Sequence, residues 1–180
     1  DYKTAKYLQD LMSNQHLRVY ANTDIIGVEY SGALKNVISI GAGISDGLQN
    51  PYGSKTLMIS RASAEAKRLA LKLGAKEHTF STESQAWSND LWMSCIGNTR
   101  NRYFGELIGK GYSVDDALEM LKKEHKIAEG YPTAQVVHDL AIKYDIEIPV
   151  MGKIYEVLYE GKNPVEAMYE LMTRQLKFIG

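Results

Sequence analysis

Residues 30–47 read YSGALKNVISIGAGISDG, an apolar run dotted with glycines, with Lys35 and Asn36 side by side inside it. An ammonium and a primary amide therefore leave the same turn. A lysine partly withdrawn from water can serve as an acid or a base, and a neighbouring amide can aim a carbonyl or hydroxyl. On a helix, Ser31, Leu34, Ile38 and Ala42 share the side of Lys35, which places it on or beside an apolar face. The plain alternative is a lysine whose stem packs while its ammonium reaches water. Gly27, Gly32, Gly41, Gly43 and Gly47 weigh against that. Each costs about 1 kcal/mol relative to Ala in an exposed helix interior, so close packing or a close-lying ligand has to offset them.

A second group lies in NDLWMSCIGNTRNR, residues 89–102. Asp90 precedes Ser94 by four residues, so both can face one side of a single turn. Arg100, Asn101 and Arg102 follow a glycine turn. A guanidinium fork matches a phosphate or carboxylate, and amide donors add direction. A solvated helix start with surface arginines is the alternative. His16, His78, His125 and His138 have no partner at metal-ligand spacing, so no metal site is expected. Cys95 reads as a packed thiol. No P-loop, nucleophile elbow or Gly-x-Gly-x-x-Gly turn occurs.

These groups need elements to carry them. Residues 3–14 have helical apolar spacing. Residues 17–22 alternate like a strand, yet no second convincing strand follows to pair with it. From Asp24, a candidate N-cap, the pattern is helical throughout. The first helix is expected over about 25–47, the next over 55–73 with Ser54 as its cap and Gly74 as its stop. Residues 76–89 read as a loop with at most a short helix. Further helices are expected near 90–95, through RYFGELIGKG, from the Ser113 cap, from Pro132, and through PVMGKIYEVLYEG and NPVEAMYELMTRQLKF. The fold class is all-α, with a helix-strand appendage at the N-terminus.

With 180 residues, 44% of them hydrophobic, the chain can build one sizeable core. A net charge of −1 gives no global attraction for nucleic acid or an anionic membrane, so any anion site must be local. No apolar run is long enough to span a bilayer. One cysteine excludes an internal disulfide and fits a reducing cytoplasm.

Taken in order, IGVEYSGALKNVISIGAGISDGL, DLWMSC, TRNRYFGELIGKG, AEGYPTAQVVHDLA and IPVMGKIYEVLYEGKNPVEAM resemble the NAD(P)-dependent glycerol-3-phosphate dehydrogenases, bacterial type. The likeness runs from about residue 15 to 175. It implies a two-domain enzyme. Residues 1–23 would be the tail of an N-terminal Rossmann domain, and 24–180 a helical substrate domain similar to the C-terminal domain of 6-phosphogluconate dehydrogenase. It implies Lys35 as the catalytic lysine at the substrate's C2 oxygen, with Asp90 holding and polarising it. Asn36, Ser94, Arg100 and Asn101 would bind substrate, and Arg100 and Glu129 would meet the cofactor. That cofactor, NAD or NADP, would be held mainly by the N-terminal domain, with no metal. The substrates implied are dihydroxyacetone phosphate and sn-glycerol 3-phosphate, feeding glycerophospholipid synthesis in the cytoplasm. A homodimer is expected, and so is an inactive chain when the Rossmann domain is not joined to it.

Two segments depart from the family pattern. AWSND stands where a glycine-rich run usually precedes the aspartate, and YPTA stands where a basic residue is usual. They keep open a non-catalytic domain that binds a phosphorylated metabolite or serves assembly. A sister dehydrogenase for another hydroxy substrate is the third reading.

Overall fold

Helix α2, Ile25–Gly47, is the axis of the molecule. From Val37 to Ser45 every residue is buried, so this stretch has no solvent face, as its sequence requires. Around it pack α3 (Tyr52–Lys72), α4 (Asp90–Ile96), α5 (Arg100–Gly109), α7 (Gly130–Tyr144) and α8 (Pro149–Tyr159). Helix α6 (Val114–Lys123) leans on α5, and α9 (Pro164–Met172) on α8. Helix α1, Tyr2–Met12, buries no residue. The computed structural model describes residues 1–175, and among these it is all-helical.

The tightest crossing is α2 on α5. Gly43 lies against the Arg102 carbonyl and Gly105 against the Ile40 carbonyl, where a Cβ on either would collide with backbone. The helices therefore touch main chain to main chain, which brings the start of α5 close to α2.

Asp24 caps α2 as expected: its Oδ1 accepts from Gly27 N at 3.0 Å. Its Oδ2 accepts from Lys76 N at 2.8 Å and from the Thr79 hydroxyl at 2.6 Å. Burial alone would raise the pKa of this carboxyl. The Thr79, Lys76 and Gly27 bonds outweigh it and hold the group below its usual range.

Several expectations need correction. Residues 17–22 form no strand: no partner strand is present among the described residues. Local side chains serve instead: Gln9 Nε2 donates to Val19 O at 2.8 Å, and Val19 N to Ser13 Oγ at 3.2 Å. Ser54 does not cap α3, which starts earlier, at Tyr52 after Pro51. Helix α7 starts at Gly130, two residues before Pro132, which the first turn accommodates. The expected helix through residue 178 ends at Met172, and its positions 176–178 lie outside the described residues.

The segment 76–89 is more ordered than its polarity suggests. A 3₁₀ turn, Glu77–Phe80, and a π turn, Gln85–Asn89, lead directly into α4. Trp87 anchors the π turn. It is buried, its ring centroid is 4.8 Å from that of Phe80, and its Nε1 donates to Ser63 Oγ at 3.2 Å. Ser31 Oγ donates to Ala86 O at 3.0 Å. The AWSND segment is thus tied to α2 one turn before Lys35.

Candidate active site

That tie decides where Asp90 goes. As the first residue of α4, it accepts from Lys35 Nζ at 2.6 Å. One turn on, Ser94 Oγ accepts from the same ammonium at 3.0 Å. The pair is only partly withdrawn from water, with side-chain exposures of 16% for Lys35 and 32% for Asp90. An ammonium carries three N–H donors, and two are engaged here. The third can meet an incoming oxygen.

The backbone around this group is fixed by two hydroxyls, of Ser39 and Thr99, for which sequence reasoning found no such role. Ser94 O accepts from Ser39 Oγ at 2.7 Å and from Thr99 Oγ1 at 2.8 Å. Ser39 lies one turn beyond Lys35 on α2, and Thr99 immediately precedes Arg100. Their signal was available: a serine at i+4 from the lysine, and a threonine just before the arginine pair.

Arg100 and Asn101 open α5, and both turn to Glu129. Arg100 Nη2 pairs with Glu129 Oε1 at 2.7 Å, and Asn101 Nδ2 reaches Oε2 at 3.5 Å. Asn101 is buried, and its Oδ1 accepts from Gly130 N at 2.8 Å, locking the start of α7 to the start of α5. Gly130 rests on α2, where a Cβ would stand 2.6 Å from the Asn36 carbonyl oxygen. The Lys35 group and the Arg100 group are therefore linked, through Ser94 and Thr99 on one side and through Asn36 and Gly130 on the other.

Asn36 itself is not aimed at Lys35's partners. Its Nδ2 donates back to Gly32 O at 3.2 Å. Tyr131, from the YPTA segment, is committed to packing: it stacks on Tyr159 at 4.7 Å and meets Phe104 edge-on at 5.9 Å. Arg102, expected beside Arg100 as an anion binder, points elsewhere. Its Nε bonds Asp46 Oδ2 at 2.7 Å, and Lys55 Nζ bonds both oxygens of that carboxylate at 2.8 Å. Cys95 is fully buried, and burial pushes its thiol up to about 12 against the pull of Lys55, Lys35 and Arg102. It is no nucleophile at neutral pH. Among the described residues, no three His, Cys, Asp or Glu side chains gather as a metal site would need. None of the described helices is long and apolar enough to cross a membrane.

Residues 24–169 match the profile of the NAD-dependent glycerol-3-phosphate dehydrogenase C-terminus. The chain belongs to this family. It is 43% identical over 178 residues to the glycerol-3-phosphate dehydrogenase [NAD(P)+] of Francisella tularensis subsp. tularensis, covering 98% of this chain and 52% of that protein. Among solved structures, glycerol-3-phosphate dehydrogenase from Coxiella burnetii superposes with a TM-score of 0.88 at 34% identity, over 97% of this chain and 52% of that one. The yeast (Saccharomyces cerevisiae) glycerol-3-phosphate dehydrogenase shares the fold at 22% identity, with a TM-score of 0.83 over 97% of this chain and 49% of that one. The chain spans about half the length of the curated relatives it matches. The AWSND and YPTA departures leave the family's all-helical fold intact.

Proposed function

We infer that this chain is the substrate half of a glycerol-3-phosphate dehydrogenase that interconverts dihydroxyacetone phosphate and sn-glycerol 3-phosphate. The observation that carries the reading is the hold of Asp90 and Ser94 on Lys35 Nζ, linked through Ser94 and Thr99 to Arg100 and Asn101 at the start of α5. Lys35 addresses the C2 oxygen. In reduction its ammonium stabilises the charge gathering on that oxygen and delivers a proton to it. In oxidation the neutral amine accepts the proton back. Asp90 stabilises the charged form, and Ser94 fixes the direction of the Nζ–H bonds. Arg100 receives the phosphate as an anion at a guanidinium fork. Asn101 acts one step back, by holding α5 and α7 in register.

The nicotinamide, when bound, supplies or takes up the hydride at C2. The chain's residues suit only its edge: Arg100 offers a charge-assisted donor and Glu129 an acceptor. A nucleotide-binding domain preceding residue 24 would hold the rest. In support, α1 buries nothing, and Tyr7, Leu8, Leu11, Leu17 and Tyr20 are left exposed for such a neighbour. Exposed Val165, Tyr169 and Met172 offer area to the second copy that the same reading includes. A single buried thiol suits the cytoplasm.

The test is turnover by the full-length polypeptide that contains this chain. It should oxidise NADH or NADPH with dihydroxyacetone phosphate, and Lys35→Ala should abolish most of that rate while circular dichroism stays unchanged. Parent-like turnover in the variant would sink the role of Lys35. Phosphate binding with no turnover in the parent would favour the non-catalytic, metabolite-binding reading.

A further inference from the structure

Four formal charges stand in the two groups, and they cancel: Lys35 with Asp90, Arg100 with Glu129. Among the described residues of these groups each cation is already paired, so a phosphate ester taken up by either has to open that pair. The Lys35–Asp90 pair is the more enclosed, and Ser94 holds its ammonium as well. The Arg100–Glu129 pair is the looser one, with side chains 53% and 43% exposed. Exposed ion pairs are weak and exchange their partners readily.

We propose that Glu129 is the resident counter-ion of Arg100, and that a ligand's phosphate must displace it, so that Glu129 sets the affinity of the site by competing for the guanidinium. The inference rests on the reading that Arg100 receives the phosphate. The surroundings suit an exchange confined to one side chain. Asn101 bonds both sides of the junction, but its firm bond, 2.8 Å to Gly130 N, does not involve the carboxylate. The bond it would lose is the 3.5 Å contact to Glu129 Oε2. Gly130 is wedged on the Asn36 carbonyl, so the main chain beside residue 129 stays in place as the side chain leaves. An internal carboxylate also keeps Arg100 in place between ligands, at the cost of weaker binding.

Removing the competitor should tighten binding, which a merely structural role for Glu129 would not do. The experiment is calorimetric titration of the full-length polypeptide that contains this chain with sn-glycerol 3-phosphate, for the parent, Glu129→Gln, Glu129→Ala and Arg100→Gln. Glu129→Ala guards against a glutamine that still clings to the arginine. Both Glu129 variants are expected to bind about two- to fivefold tighter than the parent, the range an exposed pair can withhold. Arg100→Gln should bind at least tenfold more weakly. If Arg100→Gln weakens binding while both Glu129 variants match the parent or fall below it, the competition is refuted and the phosphate reading stands. If Arg100→Gln binds as the parent does, or no form binds, the phosphate reading falls and takes the competition with it.

Discussion

Helix α2 takes part in two lysine–aspartate pairs, eleven residues apart along its length, and they differ in one respect that separates chemistry from architecture. At Lys35, the ammonium meets one oxygen of Asp90 and one hydroxyl, and the pair faces partly into water. At Asp46, the carboxylate takes both its oxygens to Lys55 and shares one with Arg102, whose Nη1 also reaches Gly97 O at 3.3 Å. Lys55 is 7% exposed. Each ammonium has two of its three N–H donors engaged, but the Asp90 carboxylate meets one cation and the Asp46 carboxylate meets two, and Lys55 is buried where Lys35 is not. A carboxylate saturated by two cations pins α2, α3 and α5 together, whereas an unsaturated pair with a partly exposed ammonium can address a substrate.

The comparison breaks most cleanly at the lysines. Lys35→Met in the full-length polypeptide should lower turnover by about 10³-fold or more, the loss expected when a positioned acid that also stabilises charge is removed. Its melting temperature should move little, because Asp90 keeps access to water. Thermal denaturation beside initial rates separates the two effects. A variant that melts early yet turns over normally per folded molecule would show that the assignment is reversed.

Lys55→Met should do the opposite. It leaves Asp46, whose side chain is 19% exposed, with Arg102 as its remaining cation. Breaking a fully buried pair from one side costs about 3–5 kcal/mol, and about 2–3 kcal/mol is expected here, since Arg102 keeps its bond. Urea denaturation of the 180-residue chain reads this directly. A midpoint equal to that of the parent would mean the cluster is not what pins the helices.

How much of this was legible beforehand follows from sequence distance. Lys35, Asp90, Ser94, Arg100 and Asn101 could be singled out because their chemistry is unusual in its local setting: an ammonium on an apolar helix, an arginine pair after a glycine turn. The Asp46 cluster gave no such signal. Its three members lie on three helices, with Arg102 56 residues beyond Asp46, and each taken alone is an ordinary charged residue near a helix end. The α2–α5 crossing was half visible, since the glycines asked for close packing but could not name their partner. The π turn at 85–89 was hidden by polar neighbours: Trp87 and the bond from the Ser31 hydroxyl to the Ala86 carbonyl anchor it, and one aromatic in a polar run is a weak cue. The alternation at 17–22 suggested a strand, but a strand also needs a partner, which lies outside what a local pattern can supply.

Another carboxylate, Asp24 at the N-cap of α2, calibrates the two pairs. Asp24→Asn keeps the shape but gives up part of the capping and the charge-assisted bonds, so it should cost about 1–2 kcal/mol. Its folded-state pKa lies below the ordinary value of about 3.9. The stabilisation it gives is therefore complete above that value and is lost as pH falls through the lower, folded-state one. Denaturation series from neutral pH down to strong acid should show the parent losing stability over that window more steeply than the variant. Parallel curves would remove Asp24 from the explanation of the fold's acid sensitivity.

The smallest effect is the sharpest test of the unsaturated pair. Ser94→Ala deletes one acceptor from Lys35 and leaves Asp90 in place. The bond is worth about 1 kcal/mol, so turnover should fall roughly five- to tenfold. Stability should hardly change, because the Ser94 carbonyl, not its hydroxyl, carries the bonds to Ser39 and Thr99. If Ser94 only fills space, the alanine variant turns over at the parent rate. If the hydroxyl directs the ammonium, threonine at this position restores the rate and alanine does not. That split, read as turnover at matched folded fraction, distinguishes a lysine that is merely paired from one that is aimed.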